Sequence, residues 1–102
     1  MGYNLVMREI RKTAHFAKWL DGLADINARA RVLVRIDRLA DGNPGDVKAV
    51  GGGVHELRIH YGTGYRVYFA LRGPEVIILL AGGEKSSQAR DIKTALRLAQ
   101  NL

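Results

Sequence analysis

Glu56-Leu57-Arg58-Ile59-His60-Tyr61-Gly62-Thr63-Gly64-Tyr65-Arg66-Val67-Tyr68-Phe69 is the stretch on which the fold turns. Side chains on a strand alternate between its two faces. Leu57, Ile59 and Tyr61 therefore share a face with Tyr65, Val67, Phe69 and Leu71, apolar enough to cover a core. Glu56, Arg58, His60, Arg66, Tyr68 and Arg72 fall on the other. Reading Gly62-Thr63-Gly64 as a three-residue hairpin loop, with glycine supplying positive φ, sets Tyr61 opposite Tyr65, His60 opposite Arg66 and Arg58 opposite Tyr68. Opposed side chains lie roughly 5 Å apart, so several could touch one phosphate. Two cations on neighbouring strands repel unless an acidic partner or ligand relieves them, and Glu56 is placed to supply part of that relief.

The segments around this hairpin extend the reading. Leu5 to Arg11 reads as a short first strand, and Thr13 as the N-cap of a helix whose stripe is Phe16, Trp19, Leu20 and Leu23. Asp25 caps a second helix, with Ile26, Ala30, Leu33, Ile36 and Ala40 as its apolar stripe and Asn27, Arg31, Arg35 and Arg38 on another face. Asp41-Gly42-Asn43-Pro44-Gly45 ends it. Extended segments follow around Val47 to Val50, in the two arms of the hairpin, and from Glu75 to Ala81. Val76-Ile77-Ile78-Leu79-Leu80-Ala81 lacks polar alternation, as a strand covered on both faces does, which puts it inside the sheet. Ser86 and Ser87 cap a last helix carrying Ile92, Ala95, Leu96 and Ala99, with Asp91 near its positive end. The class is α+β, a mainly antiparallel sheet in the order β-α-α-β-β-β-α, as one domain over residues 1–102.

Composition narrows the function. Lysine and arginine outnumber aspartate and glutamate by 16 to 10, a formal charge of +6, which favours a polyanionic partner and nucleic acid first. No cysteine is present, which removes disulfides, thiolate metal sites and cysteine nucleophiles. The longest apolar run is about eight residues, too short to span a membrane. The start lacks signal-peptide character, and Val6 spoils a myristoylation site, so a soluble, cytoplasmic protein is expected.

Gly82-Gly83-Glu84-Lys85-Ser86-Ser87 follows a strand and opens a helix, a setting that can receive anions. It is no P-loop, because Glu84 stands where glycine must precede the lysine. Gly51-Gly52-Gly53 precedes a strand and reads as a turn. His15, His55 and His60 form no metal-ligand spacing, and neither metal nor cofactor is expected. His15 reads as a surface residue and His55 as capping a strand end, whereas His60 is set beside Arg66. Arg31, Arg35 and Arg38 form a row that could face RNA or simply solvent.

Five segments, in order, carry a resemblance: Phe16-Ala17-Lys18-Trp19-Leu20, Gly42-Asn43-Pro44-Gly45-Asp46-Val47-Lys48, Glu56-Leu57-Arg58-Ile59, Gly64-Tyr65-Arg66-Val67-Tyr68-Phe69 and Leu80-Ala81-Gly82-Gly83-Glu84-Lys85-Ser86-Ser87-Gln88. Together they resemble the HigB-type, addiction-module-killer branch of the RelE/ParE toxin superfamily over nearly the whole chain. The resemblance implies a sheet with an N-terminal helical hairpin and a C-terminal helix. It also implies a toxin partnered and oligomerised with its cognate antitoxin, a helix-turn-helix DNA-binding protein, and acting as an endoribonuclease on ribosome-bound messenger RNA. Arg66 matches the arginine of the family's Gly-Tyr-Arg motif, which holds the phosphate at the cut. Arg58 and Glu56 match strand positions of basic or acid-base side chains, and Lys85 a basic position at the scissile phosphate or leaving group. Glu56 stands where lysine is common and Asp91 where tyrosine is often found, which leaves the general base open between Glu56 and His60. Tyr68, Arg72 and the row Arg31, Arg35 and Arg38 complete the expected RNA-binding surface. A DNA-gyrase inhibitor, a protein-binding toxin without a nuclease site, is the rival expectation. In either case the antitoxin is expected to lay acidic or helical segments across the cationic face.

Overall fold

A side-chain hydroxyl and a carboxylate start the first two helices where the sequence places them, whereas Ser87, at the start of the last helix, makes no side-chain cap to it. In the computed structural model, which describes residues 8–102, the Thr13 hydroxyl accepts from the Phe16 amide and opens α1 (Ala14–Asp21). The same hydroxyl donates to Leu80 O at 2.7 Å, tying the helix start to the sheet. Asp25 accepts from the amides of Asn27 and Ala28 and opens α2 (Ile26–Ala40), satisfying donors that a helix start leaves without partners. The strands are β1 (Glu9–Lys12), β2 (Val47–Gly51), β3 (Val54–Ile59), β4 (Tyr65–Arg72) and β5 (Val76–Glu84). A 3₁₀ turn over Lys85–Ser87 leads into α3 (Gln88–Gln100). The N-terminal part of the expected first strand, Leu5 to Met7, lies outside the described residues.

The α+β class is as expected, and all four extended segments expected after the helices form strands, so the order is β-α-α-β-β-β-β-α, one strand longer than the order β-α-α-β-β-β-α given for it. All of them enter one sheet, ordered β1-β5-β4-β3-β2, with β1 parallel to β5 and the other neighbours antiparallel. The apolar run of β5 sits between β1 and β4, and residues 77–83 are buried on both faces.

Helices cover both sides of the sheet. Phe16 and Leu20 of α1 and Val32, Ile36 and Leu39 of α2 pack on Leu57, Ile59, Val67, Phe69, Ile77 and Leu79. On the other side Ala95 of α3, flanked by Ile92, Leu96 and Ala99, packs on Val54, Tyr68, Ala70, Ile78 and Leu80. Each large apolar side chain so buried contributes about 1.5–3 kcal/mol.

Three expectations shift. β3 and β4 pair Ile59 with Tyr65, Arg58 with Arg66 and Glu56 with Tyr68, so the hairpin loop is the five residues 60–64, not three. Gly62 and Gly64, at φ +57° and +83°, provide the left-handed positions that close it. Because the register moves by two residues, every side chain keeps its face, while His60 leaves the strand for the loop. Leu71, expected on the covered face, lies near the far end of β4 and is exposed. In α2 the buried stripe is Ala28, Val32, Ile36, Leu39 and Ala40, whereas Ile26, Ala30 and Leu33 face solvent.

Gly82 and Gly83 owe their identity to crowding. A Cβ on Gly82 would lie 2.1 Å from the Trp19 ring, and one on Gly83 would lie 1.8 Å from the Asp91 carboxylate. These glycines belong to β5, with α1 packed on one side and α3 on the other, rather than forming an anion-receiving loop.

Candidate active site

Arg58 and Arg66 face each other across β3 and β4. Two residues back on the same face of β3, Glu56 is wholly buried and holds both. Its Oε1 accepts from Arg58 Nε at 2.8 Å, and its Oε2 lies 3.4 Å from Arg66 Nε. Oε2 also accepts from the Tyr68 hydroxyl and from Gln88 Nε2, each at 2.9 Å. α3 therefore closes the inner end of the site through Gln88.

The electrostatics follow from this packing. Burial, the largest influence, pushes the Glu56 carboxyl up, yet donation from Arg58, Gln88 and Tyr68 and the charge of Arg66 outweigh it and leave the carboxyl below the usual glutamate range. The bond to Glu56 raises Arg58 further. Burial first, and then the bond to Glu56, hold the Tyr68 phenol well above its ordinary value, so it stays a neutral donor.

Toward solvent the two arginines open on a groove of about 360 Å³ lined by Arg58, His60, Arg66 and Lys85. Lys85 is fixed there by its backbone, whose amide donates to Gly64 O at 2.8 Å. Lys85 Cβ and Arg66 Nη1 both flank Gly64, within 3.7 Å of where its Cβ would be. His60, three-quarters exposed, meets Asp46 Oδ2 through Nε2 at 2.6 Å. That bond, more than any other influence, lowers the Asp46 carboxyl.

The remaining expected residues separate. Tyr68, expected on the RNA-facing wall, is wholly buried beneath α3 and braces Glu56 instead. Arg35 leaves the exposed row: its Nη1 donates to Arg58 O at 2.6 Å and its Nη2 to Pro44 O at 2.8 Å. Arg31 lies over the Tyr61 ring, 4.6 Å from its centroid, and with Arg38 lines a neighbouring groove of about 720 Å³ that also reaches His60. Arg72 pairs with Val76 at the opposite end of β4 from Arg66, roughly 20 Å away at strand rise. His55 stacks on Phe69, ring centroids 5.3 Å apart. Among the described residues no group of three or more histidines and carboxylates converges as a metal site. Asp46 and Gln88 were not expected at the site. Both lie in the quoted segments, but no periodicity links them to the hairpin.

Residues 18–102 match the family described as phage derived protein Gp49-like. This chain belongs to the Gp49-like family. Gp49-like proteins are a RelE/HigB-like toxin family. An uncharacterized protein of Haemophilus influenzae is 48% identical over 94 residues, which cover 92% of this Gp49-like chain and 95% of that protein. In fold the chain is similar to the Escherichia coli toxin RelE, in a double arginine-to-alanine variant in the free state. The TM-score is 0.63 at 14% identity, over 85% of this chain and 96% of RelE. The likeness to RelE establishes the shared fold. No helix among the described residues is long and apolar enough to cross a membrane.

Proposed function

We propose that this chain is the toxin of a toxin-antitoxin pair and acts as a HigB-type endoribonuclease on ribosome-bound messenger RNA. The observation that carries this reading is the convergence of Arg58, Arg66 and Lys85 on one open groove, with a single buried carboxylate behind them.

RNA cleavage without a water nucleophile needs three things: a base for the 2′-hydroxyl, charge stabilisation at phosphorus, and a proton for the leaving 5′-oxygen. Arg66 and Arg58 hold the phosphate, since guanidinium forks match its oxygens. Lys85 protonates the leaving oxygen. Of the two groups open as base, His60 takes the role, because the Glu56 carboxylate is sealed from solvent and occupied by donors. Glu56 instead positions the two guanidinium groups. Arg31 and Arg38, on the adjoining groove, extend the RNA track.

The antitoxin partner fits a second surface. Ile26, Leu33 and Val34 of α2 are exposed, and Val34 lines the same groove as Arg31 and Arg38, an apolar surface with cations at one side that suits an acidic amphipathic helix. Expression with and without the neighbouring reading frame, with RNA 5′ ends mapped and gyrase-dependent DNA breaks scored in parallel, tests the reading. New 5′ ends within translated messages support it. DNA breaks without RNA cleavage support the gyrase inhibitor.

A further inference from the structure

The turn between α2 and β2 is fastened at more points than a connection requires. Arg35 reaches out of α2 and donates to the carbonyls of both Pro44 and Arg58, clipping the turn to the strand that carries the site. Gly45, at φ +75°, lets the backbone close onto that guanidinium: a Cβ there would lie 3.0 Å from Arg35 Nη2. From the other side the Arg58 amide donates to Asp46 O at 3.0 Å. Asp46 is thus held by its backbone while its carboxylate meets the exposed His60 ring at 2.6 Å. His60 has left the regular strand, and among the described residues this is the one hydrogen bond recorded for its ring.

We propose that Asp46 is a positioning residue for His60, fixing which ring nitrogen faces the groove, and that Arg35 holds the turn that presents Asp46. A neutral imidazole has one protonated and one bare nitrogen. The carboxylate at Nε2 keeps the proton there and leaves Nδ1 bare as the acceptor. The inference rests on the nuclease reading above. In the step it serves, the 2′-hydroxyl proton passes to Nδ1 of His60 and the 2′-oxygen bonds to phosphorus. The bond from phosphorus to the 5′-oxygen then breaks, and that oxygen takes a proton from Lys85.

The test uses the full chain in single-turnover cleavage of a ribosome-bound message, with thermal melting to verify folding. His60→Ala is expected to lower the rate roughly 10²–10⁴-fold, the range a positioned base contributes. Asp46→Ala lowers it by roughly tenfold or more within that range, with KM unchanged, and Asp46→Asn, which keeps an acceptor, recovers part of the loss. The double variant His60→Ala, Asp46→Ala is no slower than His60→Ala alone. Long-range ¹⁵N NMR reads the tautomer without activity: His60 carries its proton on Nε2 in the wild type and gains the Nδ1 form in Asp46→Ala. A folded Asp46→Ala at wild-type rate, multiplying effects in the double variant, or a wild-type His60 protonated on Nδ1 overturns this inference while the nuclease stands. A wild type that cleaves no message overturns both.

Discussion

Arg58 and Arg66 stand directly opposite each other on β3 and β4, and each presents its Nε to a different oxygen of the same buried Glu56. Like charges in that relation repel. One carboxylate offsets one of the two charges, so the pair stays net positive where the groove opens, and Lys85 adds to it. An approaching phosphate would complete the neutralisation.

Removing Glu56 should therefore damage the fold more than removing either arginine. Glu56→Ala leaves two part-buried guanidinium groups facing each other, and a loss of about 3–5 kcal/mol is expected in urea unfolding. A variant as stable as the wild type would show that the carboxylate holds nothing.

The same group sets an acid limit. Its folded pKa lies below the ordinary 4.5, so its contribution is fully present above that value and is lost as pH falls through the lower folded value. Wild-type stability should decline below about pH 4.5, and Glu56→Gln should decline less over that window. Identical slopes in the two proteins would contradict the linkage.

Arg66→Ala should cut message cleavage roughly 10²–10³-fold, as expected for one preorganised donor, while circular dichroism stays native. Cleavage near the wild-type rate by a folded variant would remove Arg66 from the phosphate site.

Gly82→Ala and Gly83→Ala each drive a methyl group into a packed neighbour, Trp19 or the Asp91 carboxylate. Overpacking of this kind costs about 1–3 kcal/mol, read as a lowered Tm. Unchanged melting would show that α1 and α3 yield more easily than their packing suggests.

The two apolar stripes of α2 should answer differently to substitution. Val32→Ala empties a fully buried position and should lower stability by roughly 1 kcal/mol or more. Ile26→Glu, at a position 77% exposed, should stay within about 0.5 kcal/mol of wild type. Equal losses would return Ile26 to the core.

Much of this is legible in the chain, and the departures from it have identifiable physical causes. Thr13 and Asp25 could be read as caps because a cap acts within its own next turn. In α2, Ile26, Ala30 and Leu33 fit helical spacing as well as Ala28, Val32 and Leu39 do, and both sets can include Ile36. Spacing alone cannot choose between overlapping stripes; the sheet beneath them does. Alternation places Tyr68 on the polar wall but reports only the face of a strand, not whether a helix covers it.

The order of apolar and polar residues determined by itself which strand side chains share a face, where the first two helices begin, and that β5 runs through the interior, since these follow from a period of two residues and from local hydrogen bonds. Only the tertiary structure decided the loop length that sets Arg58 against Arg66, the burial of Glu56 and Tyr68 under α3, and the meeting of Asp46 with His60. Those relations join residues distant along the chain, and their geometry is fixed by how the helices pack on the sheet.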